Sequence, residues 1–355
     1  MTTKKDIESA LMRGADTLRD TIDAANYKDY VLPVMFVKYL SDSYTDAVEE
    51  LSKQYSGIRL ERQKKYLPFM VAEGCSFYDL YQQRFADNIG QLMNAAMRQI
   101  EADNNQQLAG VLSAVDYNSE NALGTREHKN AILRDLLEDF EPLDLRPSAI
   151  EVKEGQVPAD VIGDAYEYMI GQFASMAGKK AGSFYTPAAV SEIMARIVDV
   201  QPGERVYDPT CGSGSLLIKA AKKQNSKEVS IYGQEVNGSS VAMAKMNMYI
   251  HEIRDAKIGW GDTLANPVFL DADGNLLLFD AIVANMPFSK DKWASGFNPG
   301  GESSGKGKKE FKMEASLDKF HRFDWGVPPA SKGDWAFLLH MIASPVSYTH
   351  LTLPT

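Results

Sequence analysis

The sequence predicts an α/β protein: an all-helical N-terminal domain over residues 1–145, followed by a doubly wound, mostly parallel sheet. Three observations carry this. The first 140 residues hold apolar stripes at helical spacing and no clear strand alternation. A stretch rich in proline and charge, EPLDLRPSAIEVKEGQVPAD (141–160), then breaks the pattern. From residue 204 onward, short apolar strands alternate with helices, the pattern of parallel strands joined by helical crossovers.

Element by element, Ile7, Leu11, Leu18 and Ile22 mark one apolar stripe, and DYVLPVMFVKYLSDSY (29–44) reads as a buried helix in which Pro33 is tolerable only near the start. FADNIGQLMNAAMRQIEADN (85–104) and NAILRDLLEDF (130–140) are further helices. Residues 146–160 form the linker. A second domain, 161–344, opens with DVIGDAYEYMIGQFASM (160–176), which sets Ile162, Tyr166, Met169 and Phe173 on one helical face. A small loop, AGKKAGSFYTP (177–187), leads to the helix AAVSEIMARIVDV (188–200). The strands are then ERVYDP, VSIYGQE, KIGWGD and LFDAIVAN, with helices GSLLIKAAKKQ and NGSSVAMAKMNMYIHEI after the first two.

The chain has 355 residues, 44% of them apolar and 24% charged, ordinary values for a globular protein with ample core. No apolar run is long enough to span a bilayer, and MTTKKDIESALMRG turns amphipathic at once, so neither membrane insertion nor a secretory leader is expected. With only Cys75 and Cys211, a disulfide framework or a cysteine-based zinc site is not expected, and a reducing cytoplasm fits. A net charge of −10 makes a poor autonomous binder of nucleic acid, so a DNA-directed activity would draw much of its basic surface from a partner.

In doubly wound sheets ligands bind at the carboxyl ends of the strands. Asp208, Glu235, Asp262 and Asn285 stand at the four predicted ends. Each acid alone also fits a solvated loop; three at successive strand ends point to a site. DPTCGSGS follows the first strand and opens a helix, so Gly212 and Gly214 let backbone approach a ligand beside free helical N–H groups, with Cys211 and Ser213 in the same loop. Glu235, 21 residues past Gly214, is placed to take both hydroxyls of a ribose, and Asp262 in WGDTL to accept from an adenine amine. The loop lacks the third glycine of a dinucleotide fingerprint, and its acidic start suits a cationic sulfonium amino acid: S-adenosylmethionine.

The fourth strand ends in Asn285, Met286, Pro287 and Phe288. Asn and Pro also end strands for conformational reasons alone. In the functional reading, the Asn285 side-chain carbonyl and the Met286 backbone carbonyl accept the two hydrogens of an exocyclic NH2. The nitrogen lone pair is thereby drawn out of ring conjugation, and Phe288 stacks on the ring, worth about 1–3 kcal/mol. A base inside a duplex must flip out to reach such a pocket.

NMPF resembles the Asn-Pro-Pro-Phe/Tyr signature of amino-group methyltransferases, and DPTCGSGS, GQE and GDTL resemble that family's cofactor motifs in order. GSFYTP (182–187), with Ser183, Phe184, Tyr185 and Thr186, resembles the segment that closes over the methionine end of the cofactor. With the helices around LRDTIDAANYKDYVLPVMFVKYLSD, the order is similar to the modification subunit of type I restriction–modification systems, over roughly residues 7 to 343. The resemblance implies a Rossmann-like S-adenosylmethionine-dependent methyltransferase domain and N6 methylation of adenine in double-stranded DNA. It also implies partnership with a DNA-specificity subunit and a second copy of the modification subunit, a restriction subunit being left open. Met286 departs from the usual Pro, which costs rigidity but leaves the backbone carbonyl in place. No Pro-Cys dipeptide exists, so a cytosine-C5 thiolate mechanism lacks its residue, and Cys211 reads as a small packing residue.

Three alternatives stay open. Asn-Pro-Pro-Tyr pockets also methylate protein glutamine side chains. GGESSGKG (300–307) imitates a phosphate-binding loop but has Gly307 where Ser or Thr is required and no preceding strand, so it reads as a flexible loop whose Lys306, Lys308 and Lys309 could touch a DNA backbone. The third is an inactive scaffold. After the helix GDWAFLLHMIAS (333–344) an apolar fifth strand is expected, but PVSYTHLTLPT (345–355) reads as a non-native tail. The sheet is therefore expected to be incomplete after strand four, with that strand a bare edge and the chain prone to aggregate.

Overall fold

The computed structural model describes residues 1–178, 185–222, 228–288, 290–298 and 311–352. The chain forms two compact units, Met1–Ala181 with Lys245–Arg254, and Gly182–Ala244 with Asp255–Thr355. Among the described residues no helix is long and apolar enough to cross a membrane.

The first unit is helical. Helix Lys4–Leu18 starts on a reciprocal cap: the Asp6 N–H donates to the Thr3 hydroxyl (3.2 Å) and the Thr3 N–H to the Asp6 carboxylate (2.8 Å). Ile7, Leu11 and Leu18 are fully buried. The stripe extended to Ile22 overshoots, because the chain turns at Leu18, whose carbonyl accepts from the N–H groups of both Thr21 and Ile22. Helix Tyr27–Ser52 is buried on every side from Tyr30 to Ser43, as its near-continuous apolar run requires. Pro33 lies inside it; the N–H it lacks would have met the Asp29 carbonyl. Helices Ile89–Asp103, Arg126–Phe140 and Pro158–Ala177 bury Met93 and Met97, Leu133 and Leu137, and Tyr166 and Phe173 respectively. Between helices, Thr2 pairs with Ile150, the Glu151 N–H donating to the Thr2 carbonyl at 2.9 Å.

One buried ion pair holds this unit's longest helix. Lys38 and Asp42 bond one turn apart with both side chains inaccessible to solvent. The Asp42 carboxylate also accepts from the Tyr78 hydroxyl (2.6 Å) and the Leu145 N–H (2.7 Å). Every lone pair so used ties another segment to the helix, which is the condition under which a buried pair survives its desolvation.

The second unit holds the sheet. Its strands are β1 (Arg205–Asp208), β2 (Ser230–Glu235), β3 (Lys257–Trp260), β4 (Phe279–Val283) and β5 (Pro345–Thr352). All pair in parallel in the order β3-β2-β1-β4-β5. Helix Ser215–Lys222 joins β1 to β2, and helix Gly238–Ile250 joins β2 to β3. Tyr207 and Phe279 stack at 4.3 Å between ring centroids, and Tyr232 and Phe269 pack edge-on to complete an aromatic core against Met341 of helix Gly333–Ala343.

The expectation for the end of the sheet is corrected here. β4 is not an edge: PVSYTHLT runs parallel beside it, Ile282 level with Leu351 and Val283 with Thr352, with a register shift between Phe279 and Ala281. Unpaired backbone groups along β4 need partners. Val346, Tyr348, Thr349, Leu351 and Thr352 are strand formers, and Pro345 is the first residue of the strand, a position that tolerates proline.

Removing one member of the buried pair should be severe. Asp42→Ala leaves the Lys38 ammonium buried and unpaired, with an expected loss of about 3–5 kcal/mol in denaturant unfolding of the first unit. A loss below about 1 kcal/mol, the range of exposed pairs, would show that the pair is solvated in solution.

Candidate active site

Parallel pairing in one register brings the strand ends into line. Asp208 lies level with Gly233, and Glu235 with Trp260. At the end of β1 the Asp208 side chain is buried, and its Oδ1 accepts from the Thr210 N–H at 2.8 Å, closing the turn that starts the glycine loop. Burial pushes its carboxyl up to about 8; the Thr210 N–H pulls the other way, and the neighbouring Glu235 carboxylate adds to the rise. Among the described residues, its hydrogen bonds come from Thr210 alone and no cation pairs with it.

The glycine loop takes the conformation its residues permit. Gly212 (φ 52°) and Gly214 (φ 75°) lie in the left-handed region, and the Gly214 N–H donates to the Cys211 carbonyl at 2.7 Å. The loop folds back onto β2 through the Cys211 N–H, which donates to the Gln234 carbonyl at 3.0 Å. The buried Cys211 thiol rests on Gly233, where a Cβ would come within 2.9 Å of its Sγ. Burial raises the thiol pKa well above its usual value, so Cys211 packs instead of reacting. Ser213 is buried, its hydroxyl 2.9 Å from that of Ser215.

Glu235 closes the same loop from β2. Its Oε2 accepts from the Gly212 N–H at 3.1 Å and its Oε1 from the Asn237 N–H at 2.9 Å. Burial pushes its carboxyl upward, opposed by those N–H groups. Asp262, past β3, accepts at Oδ1 from the N–H groups of Leu264 (2.9 Å) and Ala265 (3.3 Å), and its Oδ2 borders Gly296, where a Cβ would approach to 3.3 Å. Asp208, Gly212, Gly214, Glu235 and Asp262 thus gather at one end of the sheet.

The β4 end carries a contact that local pattern did not reveal. The Asn285 amide nitrogen donates to the Thr186 hydroxyl at 3.1 Å, across 99 residues of sequence. Tyr185 and Thr186 precede helix Ala188–Val198, while Ser183 and Phe184 lie outside the described residues, as do the phosphate-loop lookalike and Lys306, Lys308 and Lys309. That bond occupies an N–H of Asn285 and leaves its side-chain carbonyl to accept. Met286 is buried among Leu264, Trp293, Met313, Phe323 and Phe337. Its anchored side chain supplies fixity that proline would have given through φ. Pro287 is half-buried, and Phe288 is 61% exposed. Trp260, also missed from sequence, ends β3 70% exposed with its indole N–H on the Val236 carbonyl at 3.0 Å. Among the described residues no cluster of His, Cys, Asp and Glu is arranged to hold a metal ion.

Comparison with known proteins gives the chain's family. Residues 157–347 match the model of the N-6 DNA methylase family, and residues 7–140 that of the HsdM N-terminal domain. The methylase subunit of the type I restriction enzyme MjaVIII from Methanocaldococcus jannaschii is 29% identical over 342 residues, 92% of this chain and 53% of that protein. The MpnII methylase subunit from Mycoplasma pneumoniae is 29% identical over 376 residues, 95% of this chain and 65% of that one. The chain therefore spans between about half and two thirds of the length of these relatives. Among solved structures, the methyltransferase subunit of a type I restriction–modification system from Streptococcus thermophilus superposes with a TM-score of 0.76 at 28% identity, over 99% of this chain and 74% of that one. A family model covering more than half of the residues, a matching helical domain ahead of it and a shared fold lead to one conclusion: the chain belongs to the N-6 DNA methylase family.

Proposed function

We propose that the chain transfers a methyl group from S-adenosylmethionine to N6 of a flipped-out adenine in double-stranded DNA, as the modification subunit of a cytoplasmic type I restriction–modification complex. The observation that carries this reading is Asn285, held by Thr186 after β4 with its carbonyl left to accept, followed in the chain by a buried Met286 and an exposed Phe288. A DNA-specificity subunit would supply basic surface that a chain of net charge −10 is poor in, and a second modification subunit is the partner that the family resemblance implies. In this reading residues 1–145 are a helical domain, 146–160 a linker and 161–344 the methyltransferase domain.

The site's own residues fit the cofactor. Asp208 is a buried carboxylate with no cationic partner among the described residues, a costly arrangement that a ligand carrying ammonium and sulfonium charges relieves. Glu235, oriented by two backbone N–H groups, would take the ribose hydroxyls, and Asp262 the adenine amine. The bound cofactor supplies an electrophilic methyl group. Asn285 and the Met286 carbonyl accept the two amine hydrogens of the target base, Phe288 stacks on its ring, and the rate gain is chiefly positional.

Three outcomes follow for calorimetry and methyl-transfer assays with partner subunits and DNA. Glu235→Ala should weaken S-adenosylmethionine by about 1.5–3 kcal/mol, the usual worth of a charge-assisted hydrogen bond; unchanged affinity removes Glu235 from the site. Asn285→Ala should abolish methyl transfer with cofactor affinity retained, whereas equal loss of both would make it structural. Asp208→Asn separates binding from stability. The folded carboxyl titrates near 8 and the unfolded one near 3.8, so the unfolded state binds fewer protons between them. Stability of the ligand-free chain is thus full below pH 3.8 as far as this group goes, and is lost as pH rises toward 8. Asp208→Asn should therefore raise the Tm of the ligand-free chain most at pH 8 and above while weakening the cofactor. A lowered Tm at pH 8 would show that a cation already pairs with Asp208.

A further inference from the structure

Arg322 bonds a carboxylate, two backbone carbonyls and an imidazole among the described residues of the second unit. It is 3% exposed. Its Nε donates to both Asp318 carboxylate oxygens at 3.1 Å, and its Nη2 donates to Asp318 Oδ1 at 2.7 Å and to the Leu264 carbonyl. Its Nη1 donates to the Thr263 carbonyl at 3.2 Å and to His340 Nδ1 at 3.1 Å. An arginine cannot accept, so Nδ1 is the acceptor and the His340 proton sits on Nε2, facing the Tyr207 hydroxyl at 3.2 Å. Burial and the adjacent guanidinium hold His340 neutral, well below its ordinary pKa.

The targets of this fan are informative. Thr263 and Leu264 directly follow Asp262. The Thr263 hydroxyl donates to the Pro209 carbonyl at 2.6 Å, directly after Asp208. The Leu264 side chain packs in the cluster that buries Met286, together with Phe323, the neighbour of Arg322. One guanidinium therefore ties the backbone behind the cofactor carboxylates to the packing behind the acceptor loop. A buried ion pair is weak evidence for stability, since apolar residues of similar volume often do as well. Five donors in a fixed plane are what is needed to hold two successive carbonyls, a carboxylate and an imidazole at once, and lysine has neither the number nor the plane.

We infer that Arg322 is a positioning residue: by fixing the Thr263–Leu264 backbone it sets Asp262 for the cofactor and the Met286 turn for the acceptor amine. This rests on the methyl-transfer reading above. The test is calorimetric titration of S-adenosylmethionine into the full chain as wild type, Arg322→Lys, Asp262→Ala and the double variant, with far-UV circular dichroism confirming the fold of each. Arg322→Lys should fold and bind about tenfold more weakly, because the loop loses its aim and not its charge. The double variant should bind no more weakly than Asp262→Ala alone, since both changes act on one contact; a merely structural arginine would give losses that add. If Arg322→Lys does not fold, Asp318→Asn, which keeps the guanidinium but loosens its orientation, should weaken binding about threefold. Binding unchanged in the folded variant, or additive losses, overturns the inference. A wild-type chain that does not bind S-adenosylmethionine overturns the methyl-transfer reading itself, and the inference with it.

Discussion

Everything at the site depends on β4 pairing with β1 and not with β3. The chain lays down β1, β2 and β3 outward in one direction, then returns to place β4 on the other side of β1. The order reverses between β1 and β4, the crevice in which open α/β sheets bind ligands. The ladder at that point is short, Val206 with Ala281 and Tyr207 with Ile282, and the stacked rings of Tyr207 and Phe279 at 4.3 Å lock it. Had β4 added beside β3, Asn285 would stand far from Asp208 across the sheet. The reversal makes one edge of the crevice acidic, from Asp208 to Asp262, and the other an amide with an aromatic ring.

The buried ionisable groups of the two units are of two kinds. Asp42 and Arg322 are satisfied: each of their side-chain polar atoms has a partner, and they bind segments distant in sequence. Asp208 has no cationic partner among the described residues, and burial lifts its carboxyl to about 8. A group left in that condition lowers the stability of the ligand-free chain, a cost that fits a site completed by a positively charged ligand.

The sequence was legible where local pattern carries information. Four strands showed as apolar runs between turn residues, and the residues at their ends needed only the rule that such sheets bind at carboxyl ends. What stayed hidden was long-range. The Thr186–Asn285 bond spans 99 residues and has no period. Cys211 against Gly233 shows only when a Cβ is placed on the glycine. Arg322 reads in sequence as one more charge in a polar stretch. The bare edge expected at β4 fails for the same cause: PVSYTHLT has weak alternation, but a parallel neighbour with free backbone groups is a strong template, and pairing overrode the local signal. Ile22 was overcounted because a stripe does not show where a helix turns off.

The central claim is that the Asn285 pocket presents an exocyclic amine of adenine to a methyl donor held by the acidic strand ends. The most direct measurement is the fate of the methyl group. The chain, a DNA-specificity subunit, unmethylated double-stranded DNA and S-adenosylmethionine labelled in its methyl group would be incubated together, the DNA digested to nucleosides and the label located by chromatography. The expected result is label in N6-methyladenine and nowhere else. Label in cytosine, in protein glutamine, or in no product from an assembly shown to bind the cofactor would contradict it.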